Sequence, residues 1–384
     1  MNDIQGNASR FLITLPLGIG DAVLFGLSAV DQIIKNDPDA YGKIDILCYP
    51  AQAEVFEHDP RIHRVIQVDL ALFPTPEPGT WLRVLFLPPA TAAVIRSLRE
   101  QHYEAVFPSF FAPIFYYRLH TPMMNPSALG LIKDILAVRK DAEIHISTVA
   151  RKFVNRYFGD KLPAPASDEE TVLYICPEHV ERARLAVKRI KEMASVPQET
   201  SKLLVVVPDS SSVITRPPTK LLVKGIAEAL KRDSSLIVYI LPGYTDTTAS
   251  TNLGQALSSN FPGRVFMMPA KPKPSLLDVT AFIDQADIFV TGDTGLMHLA
   301  VVTKKILDDD DQKLLPRNSV KIIVLFGGTN PSFYGYRNRT VILGKGRKEQ
   351  RAFRPGITKE SYNPKGRVFF DHIAPEQLTE AIIS

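Results

Sequence analysis

Short runs of β-branched and aliphatic residues alternate with helical patterns along most of the chain, and this alternation limits its fold more than any other feature. RFLITLPL (10–17), KIDILCYP (43–50), HRVIQVDL (63–70) and YEAVFPSF (103–110) read as strands, with AVLFGLSAVDQIIK (22–35) as a helix after the first. Strand, helix, strand in this order predicts βαβ units and a parallel sheet. The theme recurs later. TVLYICP (171–177), LLVVVPDSSS (203–212), SLIVYILPG (235–243), DIFVTGD (287–293) and SVKIIVLFGGTNP (319–331) read as strands. The stretches between them, PEHVERARLAVKRIKEMA (177–194), KLLVKGIAEALKR (220–232), SLLDVTAFIDQA (275–286) and TGLMHLAVVTKK (294–305), read as helices. PEQLTEAII (375–383) reads as an amphipathic terminal helix.

The Pro-rich and acidic stretch KLPAPASDEE (161–170) reads as a linker between two such series. The expectation is therefore an α/β protein of two Rossmann-like doubly wound domains, 1–165 and 166–384, facing a cleft, with the last helix a candidate to pack back on the first domain. A chain of 384 residues, 45% of them hydrophobic, fills two cores of ordinary size. Proline-rich stretches at 73–79, 87–90 and 111–126 mark long connections of the kind that carry ligand loops.

Composition removes several classes. Lysines and arginines number 45 against 41 acidic residues, which is not the basic excess that binding a phosphate backbone needs, so no nucleic-acid partner is expected. Two cysteines, Cys48 and Cys176, each inside an apolar run, suit buried thiols in a reducing compartment and lack metal-ligand spacing. The polar start MNDIQGNASRF carries no basic-then-apolar leader, which predicts a cytoplasmic protein. No run of about 18 uninterrupted apolar residues is present, so a spanning helix is not expected. WLRVLFLPPATAAVI (81–95) reads as a buried strand followed by a helix, with peripheral contact to a membrane surface as the second reading. The four aspartates at 308–311 repel one another and read as a solvated insertion rather than a metal site.

Two loops carry candidate chemistry. In LPLGIGDAVLF, a strand runs into Gly18-Ile19-Gly20-Asp21 and straight on into a helix. Gly18 and Gly20 let the backbone turn tightly and approach a ligand, and the helix start favours an anion. Val23 stands where a dinucleotide fingerprint needs its third glycine, and no P-loop lysine follows. A nicotinamide-dependent dehydrogenase is disfavoured further because no acidic residue ends a second strand at the required distance. Asp21 on its own is most cheaply read as a helix N-cap. In VTGDTGLMHLA (290–300), Gly292, Asp293, Thr294 and Gly295 join a strand to a helix. The N–H groups of Thr294, Gly295 and Leu296 are suited to a diphosphate, and Asp293 to accepting hydrogen bonds from hydroxyls, with capping by Asp or Thr the plainer alternative. His298 reads as a support for that loop or as an ordinary structural histidine.

GIGDAVLF, GDTGLMHLA, LFGGTNP and HIAPEQLTEAI, in that order and spacing, resemble glycosyltransferase family 9, the heptosyltransferase-like enzymes, across nearly the whole chain. The resemblance implies a GT-B fold and inverting transfer of heptose or a related sugar. The donor is a nucleotide-diphosphate sugar such as ADP-heptose, the acceptor a lipopolysaccharide-type glycan, and neither metal nor cofactor is required. It assigns the general base to Asp21 and the donor to Gly292, Asp293, Thr294, Gly295, Leu296, His298, Ser211 and Arg216. The chain departs from the family in VPDSSSVITRPP (207–218), where Pro208, Ser211, Arg216 and Pro218 fit. Val207 and Asp209 replace His and Gly there, Thr215 stands in place of a lysine and Pro217 in place of a tryptophan. Arg216 or Lys220 is left to offset the leaving-group charge. Two alternatives stay open, a catalytically silent sugar-nucleotide-binding protein and a nucleotide-sugar epimerase of the same fold.

Overall fold

The computed structural model describes residues 10–15, 18–69, 89–108, 145–162, 171–210, 212, 214–243, 247–269, 272–307, 320–344 and 369–384. Ser211, the aspartates at 308–311 with most of the acidic insertion 304–319, and the apolar segment 81–88 lie outside the described residues. The described chain divides into two units. One holds residues up to Tyr174 together with Val302–Lys305, and the other holds the remaining residues from Ile175 onward.

In the first unit β1 (Phe11–Leu15), β2 (Ile44–Cys48), β3 (Ile62–Gln67) and β4 (Ala105–Pro108) form a parallel sheet in the order β3-β2-β1-β4. Every residue of β1 is buried, as expected of a central parallel strand covered on both faces. The helix after β1 runs on from Ile19–Asp21 through a π-helical turn, Ala22–Leu27, into Ser28–Asn36. Its apolar residues pack with the Ile146–Tyr157 helix, where Phe25 meets Phe153 and Phe153 meets Phe107 edge-on at 5.8 Å.

The second unit is built on six parallel strands: β6 (Lys202–Val207), β7 (Leu236–Ile240), β8 (Val265–Met267), β9 (Ile288–Gly292), β11 (Lys321–Leu325) and β12 (Thr340–Leu343). Their order is β12-β11-β9-β6-β7-β8. Counted from β6, this is the doubly wound 3-2-1-4-5-6 arrangement, whose direction reverses between β6 and β9. Leu204, Val206, Val238 and Val290 bury one face of the sheet against Ile226 and Leu230 of the Thr219–Arg232 helix. The terminal helix Pro375–Ile383 also lies on that helix. Leu378 packs so closely on Gly225 that a Cβ there would stand 2.8 Å from it, and Thr379 donates to the Gly225 carbonyl. Two short strands, β5 (Val172–Ile175) and β10 (Thr303–Ile306), pair separately.

One expectation is corrected here. The helix expected over TGLMHLAVVTKK stops at Val301, and Thr303–Ile306 is a strand. The run Val301-Val302-Thr303 is β-branched and loses side-chain freedom in a helix. Arg339 captures the Val301 carbonyl, and the Thr303 N–H donates to the Thr171 carbonyl. The helix Thr248–Ser258 and the edge strands β8 and β12 were not expected from the sequence. Among the described residues no helix is long and apolar enough to cross a membrane.

Candidate functional site

Where the strand order of a doubly wound sheet reverses, neighbouring loops diverge and leave a crevice at the carboxyl ends of the strands. In the second unit that point lies between β6 and β9. The loops leaving it are 208–218 and 293–294, with the loop from β11, 326–330, alongside.

These three loops are locked together through glycines. A Cβ on Gly292 would stand 2.1 Å from the Thr215 carbonyl oxygen and 3.0 Å from Pro217 Cδ. Only a residue without a side chain allows that approach. The Gly328 N–H donates to the Ile214 carbonyl at 2.7 Å, and a Cβ on Gly328 would lie 2.7 Å from that of Ile214. The stretch that departs most from the family pattern is thus the wedge between its two glycine motifs.

Within the wedge Arg216 and Thr215 are turned to the loop itself, and Asp209 reaches out of it. Arg216 donates from Nε and Nη2 to the Ser210 carbonyl, at 3.1 and 2.6 Å. Thr215 is buried, with its hydroxyl 2.6 Å from Ser210 Oγ and donating to the Ser212 carbonyl. Asp209 is also buried. Its carboxylate accepts from the N–H groups of Gly243 at 3.0 Å, Ala249 at 3.0 Å and Ser250 at 3.3 Å, closing the start of the Thr248–Ser258 helix. Lys220 is exposed in the first turn of the next helix.

At the Gly292–Leu296 loop, Thr294 caps the Gly295–Val301 helix. Its hydroxyl accepts from the Met297 N–H at 3.4 Å and lies 3.2 Å from that of Thr291. The N–H groups of Gly295 and Leu296 lie in the first turn, ahead of the first intrahelical bonds. The Asp293 carboxylate is 7% exposed and lies 3.3 Å from His298 Nε2. His298 is buried, and its other nitrogen, Nδ1, is 2.9 Å from the hydroxyl of buried Tyr336. Tyr336 follows the short helix Pro331–Tyr334, whose start Asn330 caps by accepting from the Ser332 N–H. The Gly-Gly-Thr-Asn-Pro motif therefore delivers Tyr336 to His298, a connection that no periodicity or spacing in the sequence announced.

In the first unit, Gly18, Gly20 and Asp21 lie after β1 at the corresponding reversal, between β1 and β4. Asp21 is the third residue of its helix rather than the cap. Gly18 is the cap, and its N–H donates to Asp21 Oδ2 at 3.1 Å. Gln52, which the sequence reading did not single out, donates to the Gly18 carbonyl at 2.7 Å and holds the turn from β2. The π-helical turn that follows at once displaces the helical register, a feature frequent beside functional sites.

A family model described as glycosyltransferase family 9 (heptosyltransferase) matches residues 262–307, which run from before β8 through Gly292–His298 to the end of β10. Comparison with curated proteins finds no match. Among solved structures, the family 9 glycosyl transferase from Veillonella parvula DSM 2008 superposes with a TM-score of 0.66 at 16% identity, over 99% of this chain and 98% of that one. The E. coli ADP-heptose lipopolysaccharide heptosyltransferase II gives a TM-score of 0.61 at 16% identity, covering 97% of each chain. E. coli heptosyltransferase WaaC with ADP gives 0.57 at 16% identity, over 97% and 98%. The resemblance to family 9 drawn from the motifs is borne out in sequence over 262–307, and the expected GT-B class is borne out as a fold shared along nearly the whole chain.

Proposed function

We propose that the protein is an inverting glycosyltransferase that moves heptose or a related sugar from a nucleotide-diphosphate donor to a glycan or lipopolysaccharide-type acceptor. One observation carries this reading. The family 9 match, over 262–307, includes the β9 loop, which leaves the sheet where its strand order reverses, and doubly wound sheets bind ligands at such points.

In this reading the donor lies on Gly292, Asp293, Thr294, Gly295 and Leu296, with His298 behind them and Ser211 and Arg216 from the wedge. The N–H groups of Gly295 and Leu296 take the diphosphate oxygens, and Asp293 accepts from a sugar hydroxyl. Asp21 removes the proton of the acceptor hydroxyl as that oxygen attacks the anomeric carbon. The bond from the anomeric carbon to the diphosphate oxygen breaks on the opposite face, and its electron pair leaves on the nucleoside diphosphate. Charge developing there is met by the loop N–H groups and by Arg216 or Lys220, without a metal.

The test begins with calorimetry against ADP-heptose and UDP-, GDP- and dTDP-hexoses. One donor is expected to saturate the protein, and Asp293→Ala to abolish that binding. Asp21→Asn is expected to keep donor affinity while turnover falls by orders of magnitude, and a chelator to leave turnover unchanged. Full turnover in Asp21→Asn removes that residue from the chemistry. A second reading, a silent sugar-nucleotide-binding protein, is favoured by Thr215 in the lysine position with its hydroxyl spent inside the loop. Tight donor binding without transfer to any glycan extract selects it. Donor consumption without acceptor selects the epimerase.

A further inference from the structure

A chain of three buried or nearly buried groups runs behind the β9 loop: the Asp293 carboxylate, the His298 imidazole and the Tyr336 phenol. A carboxylate oxygen accepts, so the 3.3 Å approach of Asp293 to His298 Nε2 favours a proton on that nitrogen. In a neutral imidazole that leaves Nδ1 as a bare acceptor. The Tyr336 hydroxyl at 2.9 Å is the group placed to donate to it. The ring of Tyr336 stands edge-on to the imidazole at 5.6 Å, so both are fixed in orientation.

The segment after Tyr336 grips the same helix at its far end, because Arg339 donates to the Val301 carbonyl. The connection leading into β12 thus holds the Gly295–Val301 helix at two points, one turn apart. The loop at the start of that helix inherits the alignment.

We propose that Tyr336 is a positioning residue of the β9 loop: its hydroxyl donates to His298 Nδ1, holds the imidazole as the Nε2–H tautomer, and so presents Asp293 as an acceptor to a hydroxyl of the donor sugar. This rests on the glycosyltransferase reading and adds the element that sets Asp293. Tyr336 touches neither sugar nor phosphate. Its effect passes through the hydrogen bond to His298 and the 3.3 Å contact of His298 with Asp293 to one carboxylate, so it governs the sugar and leaves the nucleoside diphosphate alone.

The experiment pairs a spectroscopic readout with a ratio of affinities. Nitrogen-15 spectra of histidine-labelled protein are expected to show His298 protonated at Nε2, with Nδ1 unprotonated and shifted by an accepted hydrogen bond. Tyr336→Phe, which keeps the ring, is expected to remove that shift. For the nucleotide sugar that binds in the panel of ADP-heptose and UDP-, GDP- and dTDP-hexoses, Tyr336→Phe should weaken affinity by up to about tenfold, as the Asp293 bond to the sugar hydroxyl loses its alignment. Affinity for the corresponding nucleoside diphosphate should stay unchanged. Asp293→Asn, which leaves Tyr336 in place, should show the same selective loss and serves if the first variant does not fold.

Protonation at Nδ1, or a Tyr336→Phe protein whose ratio of nucleotide-sugar to nucleoside-diphosphate affinity equals the wild type's, overturns the inference. If no nucleotide sugar binds the wild type, the glycosyltransferase reading falls, and the sugar contact with it. A bound donor with an unchanged ratio overturns only the assignment to Tyr336.

Discussion

In the first unit the buried charges sit away from the Gly18–Asp21 turn, whereas in the second the contacts that hold the sheet's loops together are those of the candidate site. Asp31, Asp59, Arg61 and Arg151 are all buried in the first unit. Arg61 grips Asp59 with two parallel bonds, Nε to Oδ1 at 2.8 Å and Nη2 to Oδ2 at 2.6 Å, and its Nη1 pairs with Asp31. Arg151 meets the other oxygen of Asp31 and donates to Thr171 Oγ1 at 2.7 Å. This network ties the Ser28–Asn36 and Ile146–Tyr157 helices to the turn before β3 and to the residue before β5. In the second unit, Gly292, Gly328, Asp209 and Arg216 brace the loops of the candidate site themselves. Stability and site are separable in one unit and fused in the other.

The largest effect expected from this difference is on the network. Arg61→Ala leaves Asp31 and Asp59 buried, with Arg151 as the neighbouring cation for Asp31. Breaking a buried pair from one side costs about 3–5 kcal/mol. Denaturant unfolding should show a loss of that size in the first unit, with nucleotide-sugar binding by the folded fraction unchanged. A parallel loss of donor binding breaks the separation.

Next in size is a matched pair of glycines. Gly292→Ala forces a Cβ to 2.1 Å from the Thr215 oxygen. Overpacking against backbone should cost about 3 kcal/mol and take donor binding with it. Gly18 has φ of −83°, and a Cβ there would meet Asp21 Oδ2 at 3.4 Å, an ordinary contact. Gly18→Ala replaces a tolerated cap by a poor one and should cost about 1 kcal/mol or less. Thermal unfolding of both variants measures the contrast, and equal losses would remove it.

Asp209→Ala comes third. It strips the acceptor from two N–H groups in the first turn of the Thr248–Ser258 helix and from that of Gly243 after β7, and losing a strong cap costs up to about 2 kcal/mol. Hydrogen exchange should rise at Ala249 and Ser250 before it rises in β6. Protection of those amides equal to the wild type's would show that the carboxylate is not their anchor.

The parallel strands and the glycine loops were legible in the sequence because each is written locally, as an apolar run or as a glycine between strand and helix. TGLMHLAVVTKK misled because its first half is helical by pattern, while the strand in its second half depends on Thr171, more than a hundred residues away. TASTNLGQALS is a poor helix former on its own, with threonines and a glycine, and its start is closed by Asp209 from another loop. For the same reason Asp209 looked like a lost glycine rather than a cap. Tyr336, Gln52 and the Asp31–Arg61 network were invisible because their partners meet only once the chain has folded.

The smallest effect separates the two units by pH. Burial pushes the Cys48 thiol from 9.0 up to about 12, and pushes Tyr49 and Tyr174 from 10.0 up to about 12; Tyr103 is also raised, first by burial and then by its bond to Asp45. All four lie in the first unit, whereas among the described residues of the second the raised phenol is Tyr239. A group whose pKa is raised on folding contributes stability that is complete below its unfolded value and is lost as pH rises through the folded one. For Cys48 the loss begins near pH 9 and reaches about 1.4 kcal/mol by pH 10. Segment-resolved hydrogen exchange, corrected for intrinsic rate, should therefore show the first unit weakening between pH 8 and pH 10 while β6 and β9 hold. Cys48→Ala should flatten that slope in the first unit by the thiol's share and leave the second unit's unchanged. A slope equal in both units, or one indifferent to Cys48→Ala, would place the alkaline sensitivity elsewhere and remove the last distinction between a unit that keeps its charges beneath the helices and one that keeps them at the mouth of its sheet.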